Sequence, residues 1–174
     1  METMVRPPRT GLEAFELLPE GTLCQLINDA IIMSPAPNTP HAIVQKAICF
    51  ALLQVTENEN LGEVLFAPID VYLNTKNVYQ PDILFISTAR IDIIKERGVF
   101  GAPDLVIEIL SENRRYDLLT KKKVYEQSGV MEYWVVDPVT KWCEGFELID
   151  GHYHSMGKGV GVLNVKCFCL EIKY

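Results

Sequence analysis

The chain has 174 residues, which suits one compact domain, and its 48% hydrophobic content excludes wholesale disorder. No apolar run is long enough to cross a bilayer, so we expect no membrane association. The net charge of −7 argues against a broad nucleic-acid-binding surface, although it leaves room for a small local one. The N-terminus has no apolar leader, so we expect a flexible arm over residues 1–10, a domain over residues 11–174 and a cytoplasmic protein.

Turn signals and apolar periodicity predict the elements of the first half in chain order. They are a short helix in residues 11–21, a hairpin over residues 23–34 that turns at Asn28-Asp29, a helix from His41 to Asn58 with Thr39 as a candidate cap, and a strand region over residues 62–73 interrupted at Pro68.

In the second half of the chain, the same signals predict strands that alternate with helices. Its elements are a strand in "PDILFIS", a helix over Thr88–Arg97, a strand in "PDLVIEILS", a helix over Tyr116–Ser128 ended by Gly129, a strand in "EYWVVDP" and a C-terminal hairpin that turns at Asp150-Gly151. This order predicts an α/β fold in which helices cover the faces of a mixed sheet.

Glu108 is the most informative residue, because it interrupts an apolar run that is typical of a fully buried strand. An ionised carboxylate in such a strand is costly unless a partner compensates it. Asp82 opens a similar apolar strand. Side chains alternate along a strand, so these two carboxylates can lie side by side if their strands are neighbours.

Two interpretations of this pair carry about equal weight. Carboxylate oxygens suit Mg²⁺ or Mn²⁺, and Mg²⁺ typically takes one or two carboxylates together with waters and phosphate oxygens. Alternatively, Glu108 is simply paired with a buried arginine or lysine.

The predicted helix that follows is locally basic and favours the first interpretation. The stretch from Arg114 to Lys123, which leads into this helix, contains two arginines and three consecutive lysines against one acid, Asp117. A basic helix beside two carboxylates suits a phosphodiester substrate, although a solvated charged face is the commoner fate of such a run. Helical geometry turns Lys121 partly inward and Lys123 towards solvent, and it leaves Lys122 ambiguous.

Four segments together resemble the Uma-type endonuclease family of the PD-(D/E)XK restriction-endonuclease-like superfamily. They are "IIMSPAPNTPH", "QPDILFIS", "GAPDLVIEILS" and "YDLLTKKKVYEQSGVMEYWVVDP", and the resemblance covers about residues 11–174. It implies a restriction-endonuclease-like core, a central mixed β-sheet flanked by helices, with extra N-terminal and C-terminal hairpins. It also implies a metal-dependent nuclease that hydrolyses phosphodiester bonds in DNA.

The resemblance assigns roles to individual residues. Asp82 and Glu108 would bind Mg²⁺ (or Mn²⁺). The motif lysine expected two residues after the glutamate is absent, since Leu110 stands there, and the matching lysine on the next helix is Lys121. Lys121 would orient the attacking water and stabilise the charged transition state.

The chain departs from the family pattern at the first hairpin, where Gln25 stands in place of a glutamate often assigned to the site. We list Gln25, Lys122 and His41 as further site candidates, although capping or packing suits His41 better than catalysis. The neutral Gln25 supports an alternative function, a catalytically impaired nucleic-acid-binding or interaction module on the same fold. An unrelated α/β protein with a paired Glu108 is a second alternative. The sequence leaves a homodimer open.

Overall fold

The computed structural model describes residues 6–111 and 117–174. Part of the expected N-terminal arm therefore lies outside the described residues. The same holds for Arg114 and Arg115 and for the predicted start of the basic helix at Tyr116.

Three α-helices and several short helical turns occur in the described ranges. The helices are α1 (Gly11–Glu16), α2 (Thr39–Glu59) and α3 (Lys122–Ser128), and α3 continues a π-helical turn over Asp117–Lys121. Two 3₁₀ turns lie at Thr88–Ile93 and Lys166–Phe168. In these ranges no helix is both long enough and apolar enough to span a membrane.

The described residues form fourteen strands. The first half contains β1 (Cys24–Ile27), β2 (Ala30–Met33), β3 (Gly62–Phe66), β4 (Val71–Asn74), β5 (Asn77–Tyr79), β6 (Ile83–Ser87), β7 (Ile94–Lys95) and β8 (Gly98–Phe100). The second half contains β9 (Leu105–Ile109), β10 (Glu132–Val136), β11 (Trp142–Ile149), β12 (His152–Val160), β13 (Val162–Val165) and β14 (Leu170–Lys173).

The central sheet is mixed and has the strand order β12-β11-β10-β9-β6-β3. β9 and β10 are parallel, and the other neighbouring pairs are antiparallel. A second six-stranded sheet has the order β2-β1-β5-β4-β8-β7, and β13 pairs with β14 in a separate ribbon. The mixed sheet with flanking helices confirms the predicted fold class.

The core is divided between the two faces of the central sheet. On one face, Leu105, Ile107 and Ile109 pack with Val44 and Ile48 of α2. The other face packs against α3 and the second sheet. The buried cluster there contains Val106, Leu110, Leu84 and Ile86 of the central sheet and its ends, together with Val124 of α3 and Tyr79 and Val99 of the second sheet. The alternation predicted for the Glu108 strand is therefore present, because odd-numbered and even-numbered residues enter different clusters.

The predicted helix over Thr88–Arg97 is only partly correct. A 3₁₀ turn ends at Ile93, and the chain then extends as β7. Contacts with distant strands explain the difference, because Ile94 pairs with Val99 of β8 and Val99 in turn pairs with Val71 of β4. The segment expected to cover the sheet as a helix instead completes the edge of the second sheet.

Candidate active site

Asp82 and Glu108 are brought together by the pairing of β6 with β9. These strands are antiparallel, with Ile83 opposite Ile107 and Leu84 opposite Val106. One further step in the same register places Asp82, which directly precedes β6, opposite Glu108. Directly opposed residues project to the same face of a sheet, so the two carboxylates are neighbours.

The Asp82 carboxylate is held by groups from two different elements. Its Oδ2 accepts a hydrogen bond from the backbone N–H of Ile109, at 2.6 Å. Its Oδ1 lies 3.0 Å from Nε2 of His41, in the first turn of α2. Gln45, one turn further along α2, donates to the backbone carbonyl of Asp82 at 2.9 Å. The N-terminal part of α2 therefore fixes Asp82 in position.

The Glu108 carboxylate is almost completely buried, with 2% of its side chain exposed, and both of its oxygens accept hydrogen bonds. Nζ of Lys121 lies 2.7 Å from Oε2, and the hydroxyl of Tyr125 donates to Oε1 at 2.6 Å. An ion pair with an additional hydrogen bond supplies the compensation that a buried carboxylate needs. Burial, and next the charge of Glu108, raise the pKa of Tyr125 well above 10, so its hydroxyl remains a donor.

Local sequence explains how His41 reaches the site. Asn38 caps α2, since its side chain accepts from the backbone N–H of His41 at 3.0 Å, and Pro40 stands in the first turn. Burial by itself lowers the pKa of His41, but the hydrogen bond and charge of Asp82 and the charge of Glu108 together raise it. The protonated ring is therefore favoured next to the carboxylates.

A cavity of about 560 Å³ opens onto these groups. Its lining includes five of the six residues singled out from the sequence, which are Gln25, His41, Asp82, Glu108 and Lys121. The hairpin formed by β1 and β2 contributes one wall, together with the segment that leads into α2. A pocket with a few convergent polar groups is the usual form of a ligand or substrate site.

Gln25 lies in this cavity on β1, and its side-chain amide is engaged by the protein. Its Nε2 donates to Oγ of Ser34 at 3.1 Å, and its Oε1 accepts from the backbone N–H of Gln80 at 3.4 Å. Gln25 therefore links the hairpin to the segment that precedes Asp82. Its amide adds no formal charge to the cavity.

The three consecutive lysines point in different directions, as their helical spacing predicts. Lys121 is buried against Glu108, whereas Lys123 is exposed. Lys122 lies outside the cavity lining, and its Nζ is 3.6 Å from the centroid of the Phe146 ring. The structure thus separates Lys122 from the other site candidates, because the aromatic ring offers a cation–π contact on a different strand.

Tyr125 and Gln45 were not singled out from the sequence. The signal for Tyr125 was present, since it follows Lys121 by four residues and such positions share a helix face. Gln45 likewise follows His41 by four residues on α2. In both cases the partner lies on a distant strand, so only the tertiary contact distinguishes these side chains from ordinary core or surface residues.

The donor set is compatible with a hard divalent cation. Asp82 and Glu108 offer carboxylate oxygens, which are the ligands that such cations prefer. Among the described residues no group of three or more His, Cys, Asp or Glu side chains is arranged to hold a metal. Two carboxylates with water and phosphate completing the shell is nevertheless a common arrangement for Mg²⁺, so these residues fit the ion.

A family model described as "Uma2: Putative restriction endonuclease" matches residues 12–165. The chain belongs to the Uma2 family. Its fold is also similar to a crystal structure from Anabaena variabilis, described as a putative nuclease belonging to DUF820, with a TM-score of 0.75 and 19% sequence identity. That match covers 95% of each chain. The search of curated proteins found no significant match to this Uma2 chain.

Proposed function

We propose that this Uma2-family chain is a metal-dependent endonuclease that hydrolyses phosphodiester bonds in DNA, with Asp82, Glu108 and Lys121 as its catalytic residues. The observation that supports this most strongly is the meeting of two carboxylates and a buried ammonium group in one cavity. The family description supports the reaction class, and restriction endonucleases act on DNA.

In hydrolysis, a water oxygen attacks the phosphorus and gives up a proton, the bond from phosphorus to the leaving sugar oxygen breaks, and the leaving oxygen takes up a proton. Lys121 is positioned to orient the attacking water and to stabilise negative charge on the phosphate. Its salt bridge to Glu108 and its burial hold the ammonium group in place. The hydrogen bonds from His41 and Ile109 orient Asp82 in the same way.

Asp82 and Glu108 are the residues that would hold Mg²⁺ or Mn²⁺. The bound ion would neutralise phosphate charge and lower the pKa of a coordinated water. The backbone contacts that fix Asp82 reduce the reorganisation needed at this position, because one of its oxygens is already aligned by Ile109.

Nicking of a supercoiled plasmid tests the proposal. We expect cleavage with Mg²⁺ or Mn²⁺ and none with EDTA. Asp82→Ala and Lys121→Ala should each lower the rate by at least about a hundredfold, a typical loss for an electrostatic catalyst. The exposed Asp92→Ala and Lys123→Ala are matched controls and should cut at the wild-type rate. Equal rates in a catalytic variant and its control would overturn the assignment.

The neutral Gln25 favours one rival, a catalytically impaired nucleic-acid-binding module on the same fold. Fluorescence anisotropy of labelled DNA distinguishes the two functions. Binding that persists while no metal supports cleavage would favour the rival. Binding together with metal-dependent cleavage would favour the nuclease.

A further inference from the structure

The first hairpin and the segment that follows it contribute a mostly apolar wall to the cavity. Ile32 and Met33 lie on β2, at the edge of its sheet, and they are 50% and 66% exposed. Ile32 pairs with Gln25 of the neighbouring strand, and both line the cavity. Pro35 and Pro37 extend the same wall towards α2. Exposed apolar side chains grouped around a polar site are a common feature of ligand-binding surfaces.

The groups proposed to react lie at the bottom of this cavity rather than on an open surface. The side chains of Glu108 and Lys121 are 2% and 8% exposed, and that of Asp82 is 15% exposed. A phosphate must therefore enter the cavity to reach them. The apolar wall lies beside the entrance to the cavity, so it would contact the nucleoside that is attached to the phosphate.

The described lining of the cavity carries little of the positive charge that binds the backbone of a DNA duplex. Double-stranded DNA carries about one negative charge per 1.7 Å of its axis, and proteins bind it with several lysines and arginines. Among the described lining residues Lys121 is the one lysine, it is paired with Glu108, and no arginine is present. The whole chain carries a net charge of −7.

We propose that the cavity takes an unpaired nucleotide, so that the preferred substrate is single-stranded DNA or a single-stranded segment within a duplex. This inference rests on the proposed nuclease function. The phosphate would approach Lys121 and Asp82, while the base would lie against Ile32, Met33 and Pro35. Apolar side chains can pack against the face of an unpaired base, and a volume of about 560 Å³ falls within the usual range for small-molecule pockets.

Cleavage of three labelled DNA substrates of identical sequence tests this substrate class. They are a single strand, a perfect duplex and a duplex with a central unpaired segment. With Mn²⁺ or Mg²⁺ we expect kcat/KM to be at least about tenfold higher for the single strand than for the duplex, as burial of one apolar side chain against a base predicts. In the third substrate, cuts should fall in the unpaired segment.

The double variant Ile32→Ser/Met33→Ser tests the role of the apolar wall. We expect about a tenfold higher KM on the single strand with kcat little changed, because the variant alters the binding of the base and leaves the reacting groups in place. Val139→Ser is the matched control, since Val139 is 76% exposed and lies outside the cavity lining. Its kinetics should equal those of the wild type.

The outcomes separate failure of this inference from failure of the proposed function. Cleavage of the perfect duplex as fast as the single strand, or an unchanged KM in the double variant, overturns the inference and leaves the nuclease function standing. Absence of cleavage of every substrate with either metal overturns the nuclease function and this inference with it.

Discussion

Glu108 has both of the features that the sequence left as alternatives, a buried basic partner and a neighbouring carboxylate. Glu108 is paired with a buried lysine, Lys121, and it also lies in a cavity beside a second carboxylate, Asp82. A buried ion pair is weak evidence for stability, since desolvation of both charges offsets much of their attraction. Its place in a cavity with Asp82 and His41 favours a functional role, and perturbed titratable groups cluster at such sites.

Tyr125→Phe should affect both stability and catalysis, because it removes the hydroxyl that donates to Glu108 at 2.6 Å. Hydrogen bonds to charged groups contribute about 1.5–3 kcal/mol, so we expect the unfolding free energy to fall by about 2 kcal/mol. A less firmly held Glu108 should also lower the cleavage rate, by about tenfold. Urea denaturation and plasmid nicking measure the two effects.

Tyr153→Phe is the control for this prediction. It also removes a hydroxyl donor, to the carbonyl of Val130 at 2.9 Å, and Tyr153 lies outside the cavity lining. We expect some loss of stability, about 1 kcal/mol, and wild-type cleavage. Equal losses of activity in the two variants would mean that Tyr125 acts only through general stability.

The stability of the metal-free protein should depend on pH through His41. Burial lowers the pKa of His41 and the charge of Lys121 also lowers it, yet Asp82 and Glu108 raise it above 6.5 overall. The folded state then binds this proton more tightly than the unfolded state. The stability that protonated His41 adds is fully present below pH 6.5 and is lost as the pH rises through the folded-state pKa.

Urea unfolding in EDTA between about pH 6 and pH 8 measures this effect. The unfolding free energy of the wild type should fall with pH relative to that of His41→Gln. His152→Gln removes an exposed histidine and should keep the wild-type dependence. Parallel curves for the wild type and His41→Gln would contradict the prediction.

The start of α2 and the β1–β2 hairpin supply one side of the cavity. The capped N-terminus of α2 delivers His41 and Gln45 to Asp82, and the pairing of β1 with β2 places Gln25 beside Ile32. The segment between β2 and α2 closes the wall. The position of His41 in the site thus depends on where α2 begins, since His41 lies only two residues after the first residue of this helix.

Gln25→Glu should tighten metal binding and raise the cleavage rate. Gln25 already lies in the cavity, and a carboxylate would add a charged oxygen ligand where the amide adds none. Isothermal titration with Mg²⁺ and Mn²⁺ and plasmid nicking are the measurements. Gln127→Glu, an exposed position on α3, is the control and should change neither quantity. If Gln25→Glu behaves like this control, the neutral residue has no functional meaning.

At the scale of the whole molecule, a buried glutamate joins the C-terminal segment to the central sheet. Glu132 on β10 accepts from the indole N–H of Trp134 and from the backbone N–H groups of Lys166 and Cys167. Those backbone groups belong to the 3₁₀ turn between β13 and β14. One carboxylate therefore fixes the C-terminal ribbon against the sheet that carries Glu108.

Glu132→Ala should lower the unfolding free energy by about 3 kcal/mol, because it leaves three donors without their acceptor in a largely buried position. Glu147→Ala is the matched control. Glu147 pairs with the side chain of Lys166 at the surface, and a surface ion pair contributes only about 0–1 kcal/mol. Urea denaturation of both variants provides the comparison, and similar losses in the two would contradict the structural role of Glu132.

The sequence by itself determined the fold class, the family and the faces of the Glu108 strand. Side chains alternate along a strand with a period of two, so the opposite faces of Leu105 and Val106 follow from local geometry. The burial of Lys121 but not of Lys123 agrees with the predicted directions, although Lys121 ends a π-helical turn and not an α-helical one. The catalytic roles of Asp82, Glu108 and Lys121 remain predictions.

Only the tertiary structure decided which partners meet and how the strands are divided. The contact of His41 with Asp82 joins residues 41 positions apart, and no local period encodes such a distance. Lys122 could not be assigned from its helical position because Phe146 is contributed by β11. Ile94–Lys95 forms a strand and not a helix because its backbone pairs with that of β8. Hydrogen bonding and packing across the chain decide such choices where local propensity is weak.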